Sequence, residues 1–464
     1  MPLVAGVDSS TSACKVEIRD ADTGALVATG RSSHPATTPP RSEQDPDAWW
    51  AALESAAAAA GMFGRYRPAA ISVAGQQHGM VVLGAGGEVL RPAKLWNDTE
   101  SAPDAAALVG ELGAGAWAEA CGSVPVAAFT ITKLRWLRRT EPDVFRHMAS
   151  VCLPHDWLTR RMTGKSTTDR GDASGTGWWS PAEERYRGDL LELVDPTVDW
   201  KSMLPDVLEP TATAGEWEGM VVGPGTGDNM AAALGLGLQP GDLALSLGTS
   251  GTAFCVSTDP TADPTGAVAG FADASGRFLP LVCTLNATKV TDAVARLLGV
   301  DAAGLDALAL SAPPGAGGVV LVPHVDGERT PNRPDATGML TGIRSDVTRE
   351  QLARAAFEGV VANLLAGAER LPATAGRVRL TGGGARSAAY RQVVADLVGR
   401  PVEVPADDET VARGAAVQAA AALAGCSVDD ITTAWVPVPV VTTEPDPFAA
   451  GAELRAAFTE AMNR

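Results

Sequence analysis

One pattern occurs twice in the chain and restricts the fold more than any other. An apolar run at 3–7 ends at Asp8 and leads into Ser9-Ser10-Thr11-Ser12; the stretch 13–19 then alternates Val16 and Ile18 with Lys15, Glu17 and Arg19. At 242–247 the order returns as Asp-Leu-Ala-Leu-Ser-Leu, followed by Gly248-Thr249-Ser250-Gly251 and a second apolar strand at 252–256. An apolar run bounded by turn residues reads as a buried strand, and strict alternation as a half-buried one. Two hairpins with hydroxyl- and glycine-rich tips, each opening one half of the chain, imply a duplicated α/β domain with a cleft between the halves. Backbone N–H groups and hydroxyls at such tips suit phosphate oxygens.

A chain of 464 residues exceeds one ordinary core, so two or three domains are expected. Hydrophobic residues at 45% and charged residues at 20% fit a soluble globular protein. The net charge of −18 argues against nucleic acid as a partner, because phosphate backbones need a basic surface. No run is long and apolar enough to span a membrane, and the N-terminus lacks the basic-then-apolar order of a secretory signal. A cytoplasmic location is therefore expected. The six cysteines (Cys14, Cys121, Cys152, Cys255, Cys283 and Cys426) are scattered, which suits free thiols, and the five histidines form no metal-ligand spacing with them.

Between the two hairpins the chain alternates strand and helix signals. The stretch 25–29 reads as a third strand, and Asp45-Pro46 reads as an N-cap and first helical residue of a helix to about Ala60. A strand at 70–74 runs into Gly75-Gln76-Gln77-His78-Gly79, which fits a ligand-facing loop and equally a lone hydrogen-bonded histidine. Trp96-Asn97-Asp98 is another polar cluster; 130–139 is an amphipathic helix with Leu134 and Leu137 inward; Pro154-His155-Asp156-Trp157 precedes a further helix. Residues 166–177, rich in Ser, Thr, Asp and Gly, are expected to be irregular and to lie over a cleft. Gly223-Pro224-Gly225-Thr226-Gly227-Asp228-Asn229 brings a backbone close to a ligand and places an acid at its end, although alone it also fits a surface turn.

In the second half, 319–323 reads as a strand leading into Gly327-Glu328-Arg329-Thr330-Pro331. Thr348 and Gln351 form a capping box for a helix to about Leu371. A strand at 378–380 leads into Thr381-Gly382-Gly383-Gly384-Ala385-Arg386, and Ser387 caps the next helix. Strand, glycine loop and helix N-terminus make a nucleotide-cradle arrangement, without the Walker or dinucleotide spacing; a structural turn is the other reading, which three consecutive glycines at that junction disfavour. Further elements are a strand at 401–404, a helix at 409–424, and a proline-rich tail at 436–447 that wraps the surface before a short final helix.

Taken together, these motifs resemble the FGGY carbohydrate kinases of the sugar kinase, Hsp70 and actin superfamily, most closely the branch that phosphorylates xylulose. The resemblance covers nearly the whole chain. It rests on Gly75 to Gly79, Trp96-Asn97-Asp98, Gly225 to Asn229, Leu245 to Gly251, and Gly327 to Pro331. Gly338-Met339-Leu340-Thr341-Gly342-Ile343, the helix beginning around Gln351, and Thr381 to Ser387 complete it. There are two departures: Gln77 stands where methionine is usual, and Ser10 where the first phosphate loop often has glycine. Gly227-Asp228-Asn229, rather than the Gly-Asp-Gln usual in glycerol kinases, favours a ketopentose over glycerol.

The resemblance implies two actin-like (ribonuclease H-like) α/β domains with a central cleft, at 1–242 and 243–464, which close over the substrates. It implies ATP-dependent phosphorylation of the terminal hydroxyl of D-xylulose, with Asp228 as general base and Asp8 holding Mg²⁺. Gln77, His78, Trp96, Asp98, Asp228 and Asn229 would bind the sugar. Thr11, Ser12, Lys15, Gly248, Thr249, Gly383, Gly384 and Ser387 would bind ATP. A homodimer is one assembly it leaves open. Other readings are a kinase for ribulose or arabitol, a catalytically silent sugar sensor, and an actin-like filament ATPase, which the sugar-loop motifs disfavour.

Overall fold

The computed structural model describes residues 2–373, 376–407, 409–436 and 438–464. The chain forms two compact units that interleave in sequence. One comprises residues 1–237, 258–279 and 409–436; the other comprises 238–257, 280–408 and 437–464.

The first unit is built on a mixed sheet. Its strands run in the order Gly215–Trp217, Met220–Val222, Ala70–Gly75, Leu3–Ser9, Ala13–Asp20, Leu26–Ser33. Leu3–Ser9 lies parallel to Ala70–Gly75 and antiparallel to Ala13–Asp20, with Asp8 opposite Lys15. Central strands buried on both faces need a helix on each face. Helix Pro46–Ala59 packs on one side, entered through the Asp45 cap, whose side chain accepts the Asp47 N–H. Its backbone approaches so closely that a Cβ on Gly30 would fall 2.0 Å from the Ala56 carbonyl oxygen. Helix Thr410–Ala424 covers the other side, and a Cβ on Gly6 would fall 1.9 Å from the Ala412 oxygen. The same helix crosses helix Asp228–Gly235 at glycines: a Cβ on Gly414 would meet the Ala231 oxygen at 1.8 Å, and one on Gly235 the Thr410 oxygen at 1.9 Å.

A helical subregion completes this unit. Helix Thr130–Thr140 buries Leu134 and Leu137 fully, as its periodicity requires, against Trp117, Trp136 and Trp178. Residues 166–177 differ from expectation. They hold a strand, Thr167–Asp169, and a helical turn, Arg170–Ala173, and they are buried from Thr167 onward. The polar side chains that suggested an irregular segment are spent internally. Asp169 caps the turn by accepting the Gly171 and Asp172 N–H groups, and Ser174 bonds the Gly171 carbonyl.

The second unit repeats the inner order. Its strands run Phe278–Thr284 (from residue 280 on), Gly251–Cys255, Leu243–Leu247, Val378–Thr381, Val402–Pro405, Pro439–Thr443. Leu243–Leu247 again pairs antiparallel with the next strand and parallel with a later one. Helix Arg349–Ala368, opened by the Thr348–Gln351 capping box, is buried along most of its length. The tail does not simply wrap the surface: Pro439–Thr443 adds an antiparallel edge strand to Val402–Pro405, and helix Gly451–Met462 follows. Prolines are tolerated there because an edge strand leaves one row of N–H groups unused. Pro437 lies outside the described residues. All six cysteines are free. Among the described residues no single helix is long and apolar enough to cross a membrane.

The glycine crossing yields a paired test. Gly414→Ala forces a methyl into the Ala231 backbone and is expected to cost at least the ~1–3 kcal/mol of ordinary overpacking in urea unfolding. Gly110→Ala, in helix Ala102–Leu112 with open space around its Cβ, is expected to be neutral or to add up to ~1 kcal/mol.

Candidate functional site

In the first unit, three short segments bring most of the expected sugar and phosphate residues together. The hairpin tip after Asp8 closes without a glycine, because both the Ser10 N–H and the Ser10 hydroxyl bond the Ala13 carbonyl, at 3.0 and 2.9 Å. This is how the chain accommodates serine at that position. Thr11 is tied to the neighbouring loops: its hydroxyl donates to Gln76 Oε1 at 3.1 Å and accepts from Trp96 Nε1 at 2.8 Å. Ser12 is exposed at the tip, and its carbonyl accepts the His34 N–H.

Asp8 is 3% exposed. Lys15 Nζ lies 3.4 Å from its Oδ2 and also contacts Glu409. Burial raises the Asp8 carboxyl to about 6 even though Lys15 opposes the shift. Its Oδ1 is buried without a hydrogen-bond partner among the described residues. An orphaned carboxylate oxygen beside one lysine is a donor suited to a hard cation such as Mg²⁺, which takes one or two carboxylates and keeps waters.

Asp228 begins helix Asp228–Gly235, with Gly227 as its cap residue. The glycine turn before it is held by Gln418, whose Nε2 donates to the Gly225 carbonyl at 3.0 Å while its Oε1 accepts from Ser72. Gly225 has φ +79°, so a side chain there would be strained. Asn229 donates to Asp228 Oδ1 from its backbone at 2.8 Å and from Nδ2 at 3.0 Å, and Nδ2 also reaches Gln77 Oε1 at 2.7 Å. Both bonds to Asp228 fall on one oxygen, which leaves Oδ2 for a ligand. Burial, then the nearby Asp8 and Asp172 carboxylates, raise Asp228 to about 7. Gln77 Nε2 is buried and unpartnered among the described residues.

His78 has φ +63°, uncommon for a residue with a side chain. Its Nδ1 lies 2.8 Å from the Gly175 carbonyl, which can only accept, so Nδ1 carries the proton. The ring stacks on Phe129 at 4.9 Å and meets Phe271 at 5.5 Å. Asp98 stands apart from this set. It is fully buried and bonded to Lys94, the Ser42 N–H and the Glu100 N–H.

In the second unit, Gly248, Thr249, Gly383, Gly384 and Ser387 line one cavity of about 450 Å³. The loop at 382–384 passes close to the strand before the hairpin tip: a Cβ on Gly384 would fall 2.7 Å from Leu247 Cβ. Gly383 faces open space. Ser387 caps helix Ala388–Val398 and donates to Asp306 Oδ1 at 2.7 Å, so its hydroxyl is already engaged. Phe357 and Tyr390, in edge contact at 4.5 Å, form an aromatic wall. Sequence reasoning missed Glu409, Gln418, Phe129, Phe271, Asp306 and Tyr390. They are distant in sequence from the motifs they serve, and no local spacing marks them.

Two α/β units of like inner topology, one carrying buried carboxylates beside amide-lined loops and the other a glycine-walled cavity, are the parts of a phosphotransferase acting on a polar small molecule. The chain belongs to the FGGY family of carbohydrate kinases, whose N-terminal domain matches residues 3–235 and whose C-terminal domain matches residues 243–423. It is 49% identical over 450 residues to a xylulose kinase of Streptomyces coelicolor, covering 94% of this chain and 91% of the relative. Against the xylulose kinase of Escherichia coli the identity is 36%, covering 86% and 85%. The crystal structure of xylulose kinase from Bifidobacterium adolescentis matches with a TM-score of 0.89 at 42% identity, covering 99% of each chain.

The raised Asp228 carboxyl has a consequence for stability. A carboxyl whose folded pKa exceeds its unfolded value near 3.8 stabilises the fold fully below that value, and the contribution is lost as pH rises through about 7. Asp228→Asn is therefore expected to raise the thermal midpoint of the ligand-free protein at pH 8, with a gain that shrinks towards pH 4. An equal gain at both pH values would assign the titration to another group.

Proposed function

We propose that this protein transfers the γ-phosphoryl group of ATP to the terminal hydroxyl of D-xylulose, giving D-xylulose 5-phosphate. The observation that carries the reading is the identity to xylulose kinases across both halves of the chain, at 49% over 450 residues. The local chemistry supports it. Asp228 Oδ1 is held by Asn229, so Oδ2 is the oxygen that accepts the hydroxyl proton as the oxygen attacks phosphorus. With its carboxyl raised to about 7, Asp228 is a base matched to neutral pH. Gln77, His78 and Asn229 orient the sugar hydroxyls, while Thr11 and Trp96 border that loop.

Gly248 and Thr249 cradle phosphate oxygens through backbone N–H groups. Gly383, Gly384 and Tyr390 border the adenosine in the 450 Å³ cavity. Asp8 holds Mg²⁺, which when bound neutralises charge on the phosphates. Lys15, paired with Asp8 and Glu409, orients that carboxylate.

The test is ADP release with ATP and Mg²⁺ over D-xylulose, L-xylulose, D-ribulose, L-ribulose, glycerol and arabitol. D-Xylulose is expected to be turned over fastest. Asp228→Asn is expected to bind the same sugar while losing on the order of 10²–10⁴-fold in kcat. Retained turnover in that variant removes Asp228 from the role of base, and a different best sugar changes the substrate while leaving the chemistry intact.

The nucleotide cavity makes its own prediction. A methyl added at Gly383 would meet no atom within 4 Å, so Gly383→Ala is expected to leave the melting temperature unchanged. That methyl enters the cavity, and the KM for ATP is expected to rise with the sugar KM unchanged. Unaltered ATP dependence would place the nucleotide elsewhere.

A further inference from the structure

Pro154-His155-Asp156 stands out in the sequence, yet the phosphoryl-transfer chemistry above makes no use of it. His155 is the second residue of helix Pro154–Thr163 and is fully buried. Its ring lies between two loops of the sugar site. A Cβ on Gly75 would fall 2.9 Å from His155 Cβ, and one on Gly225 would fall 2.5 Å from its Cδ2. Both loops therefore use glycine where they meet this residue.

Three carboxylates surround it. Nδ1 lies 2.7 Å from Asp172 Oδ2, while Nε2 lies 3.1 Å from Asp156 Oδ1 and 3.8 Å from Asp169 Oδ1. All three acids are buried. Burial by itself would drive the imidazole neutral, but Asp156, Asp172 and Asp169 outweigh it and hold His155 up at about 9. The ring and its three carboxylates form one buried set, which is costly to break by removing one partner.

Two of these acids reach onward to residues of the site. Asp172 begins a backbone link to His78, the residue in the left-handed conformation: its carbonyl accepts the Gly175 N–H at 2.9 Å. Gly175, three residues on, accepts the His78 Nδ1 proton; a Cβ at Gly175 would fall 2.6 Å from the imidazole, so the ring lies directly on that backbone. Asp169 Oδ2 accepts the Thr226 hydroxyl at 2.7 Å, two residues before Asp228. Left-handed backbone at a residue with a side chain persists only where its surroundings over-determine it. Here the surroundings are Asp172, Gly175 and the His155 ring behind them.

We propose that His155, Asp172 and Asp169 are positioning residues, one buried imidazole whose two carboxylate arms separately set His78 for sugar binding and Asp228 for proton transfer. The proposal rests on the sugar-kinase reading and adds a division of labour to it. The Asp172 arm governs sugar affinity through His78. The Asp169 arm governs turnover through Thr226 and Asp228. The nucleotide cavity is lined by residues of the other unit and is served by neither arm.

The experiment uses Asp172→Asn, His155→Gln, their double variant, and Thr226→Val. The last removes one hydroxyl from a fully buried, near-isosteric position and keeps the second arm testable should the charge variants fail to fold. Asp172→Asn is expected to raise the sugar KM about 10- to 100-fold with a smaller change in kcat, and Thr226→Val to lower kcat by a similar factor with a smaller change in sugar KM. The ATP KM stays at the wild-type value in both. Adding His155→Gln to Asp172→Asn costs little more, because residues of one network are non-additive.

Imidazole ¹⁵N spectra of the ligand-free protein, with His78 assigned by His78→Asn, provide a readout independent of turnover. The wild type shows His78 as the Nδ1–H tautomer, and Asp172→Asn mixes the two tautomers. A wild type that turns over another sugar or none overturns the substrate reading and leaves these spectra to decide the positioning role. An unchanged His78 signal together with an unchanged sugar KM in folded Asp172→Asn overturns the proposal. So does a parallel rise in sugar and ATP KM across all variants, which marks general loosening of the fold.

Discussion

Backbone contact at three glycines holds the first unit together. Gly6 on the first strand, Gly235 at the end of the Asp228 helix, and Gly414 on the covering helix each lack the atom that would collide with a neighbouring carbonyl. The missing side chains let helix Thr410–Ala424 lie directly on the strand that ends at Asp8 and on the helix that starts at Asp228. Gln418, on the same covering helix, then reaches the Gly225 carbonyl and fixes the turn before Asp228. Packing at this density transmits position: a shift of the covering helix is a shift of both carboxylates. The small alanines that follow Gly414 have the same origin, since a larger side chain would push the layers apart.

Electrostatics run against this packing. Asp8 is buried and Asp228 half-buried near it, and their carboxyls rise to about 6 and about 7 for lack of solvent and of enough cations. The fold tolerates this discomfort at the place where the proposed reaction would receive a cation and a hydroxyl proton. Asp98 shows the contrast. It is fully buried and answered by Lys94 and two backbone N–H groups, so its oxygens are spent within the protein.

Much of the frame was legible in the sequence, because it is carried by local signals. The hairpins, the Asp45 and Ser387 caps and the Thr348–Gln351 capping box follow from period and cap chemistry, and each appears where those rules put it. Two readings failed for a common reason. Residues 166–177 looked irregular because their side chains are polar, yet these side chains cap a buried turn; the proline-rich tail at 436–447 looked like surface wrapping alone, yet it forms an edge strand. Composition reports polarity, but only the fold reports where the hydrogen bonds are spent. Partners such as Gln418, Phe271 and Glu409 are hundreds of residues away from Gly225, His78 and Lys15, and one sequence carries no sign of such pairings.

The first unit is not finished by consecutive residues: its sheet is laid down by residue 227, but its covering helix is Thr410–Ala424. On the ribosome the apolar face around Gly6 and Ala74 therefore waits for some hundreds of further residues before it can be closed. At ~5–20 residues per second that delay is on the order of tens of seconds, far longer than hydrophobic collapse takes. The nascent chain thus passes through a stage in which one face of this sheet is bare and its cover is unmade, a stage suited to chaperone capture. Most of the second unit's strands and helices are made during that interval, so synthesis of one unit is nested inside the completion of the other.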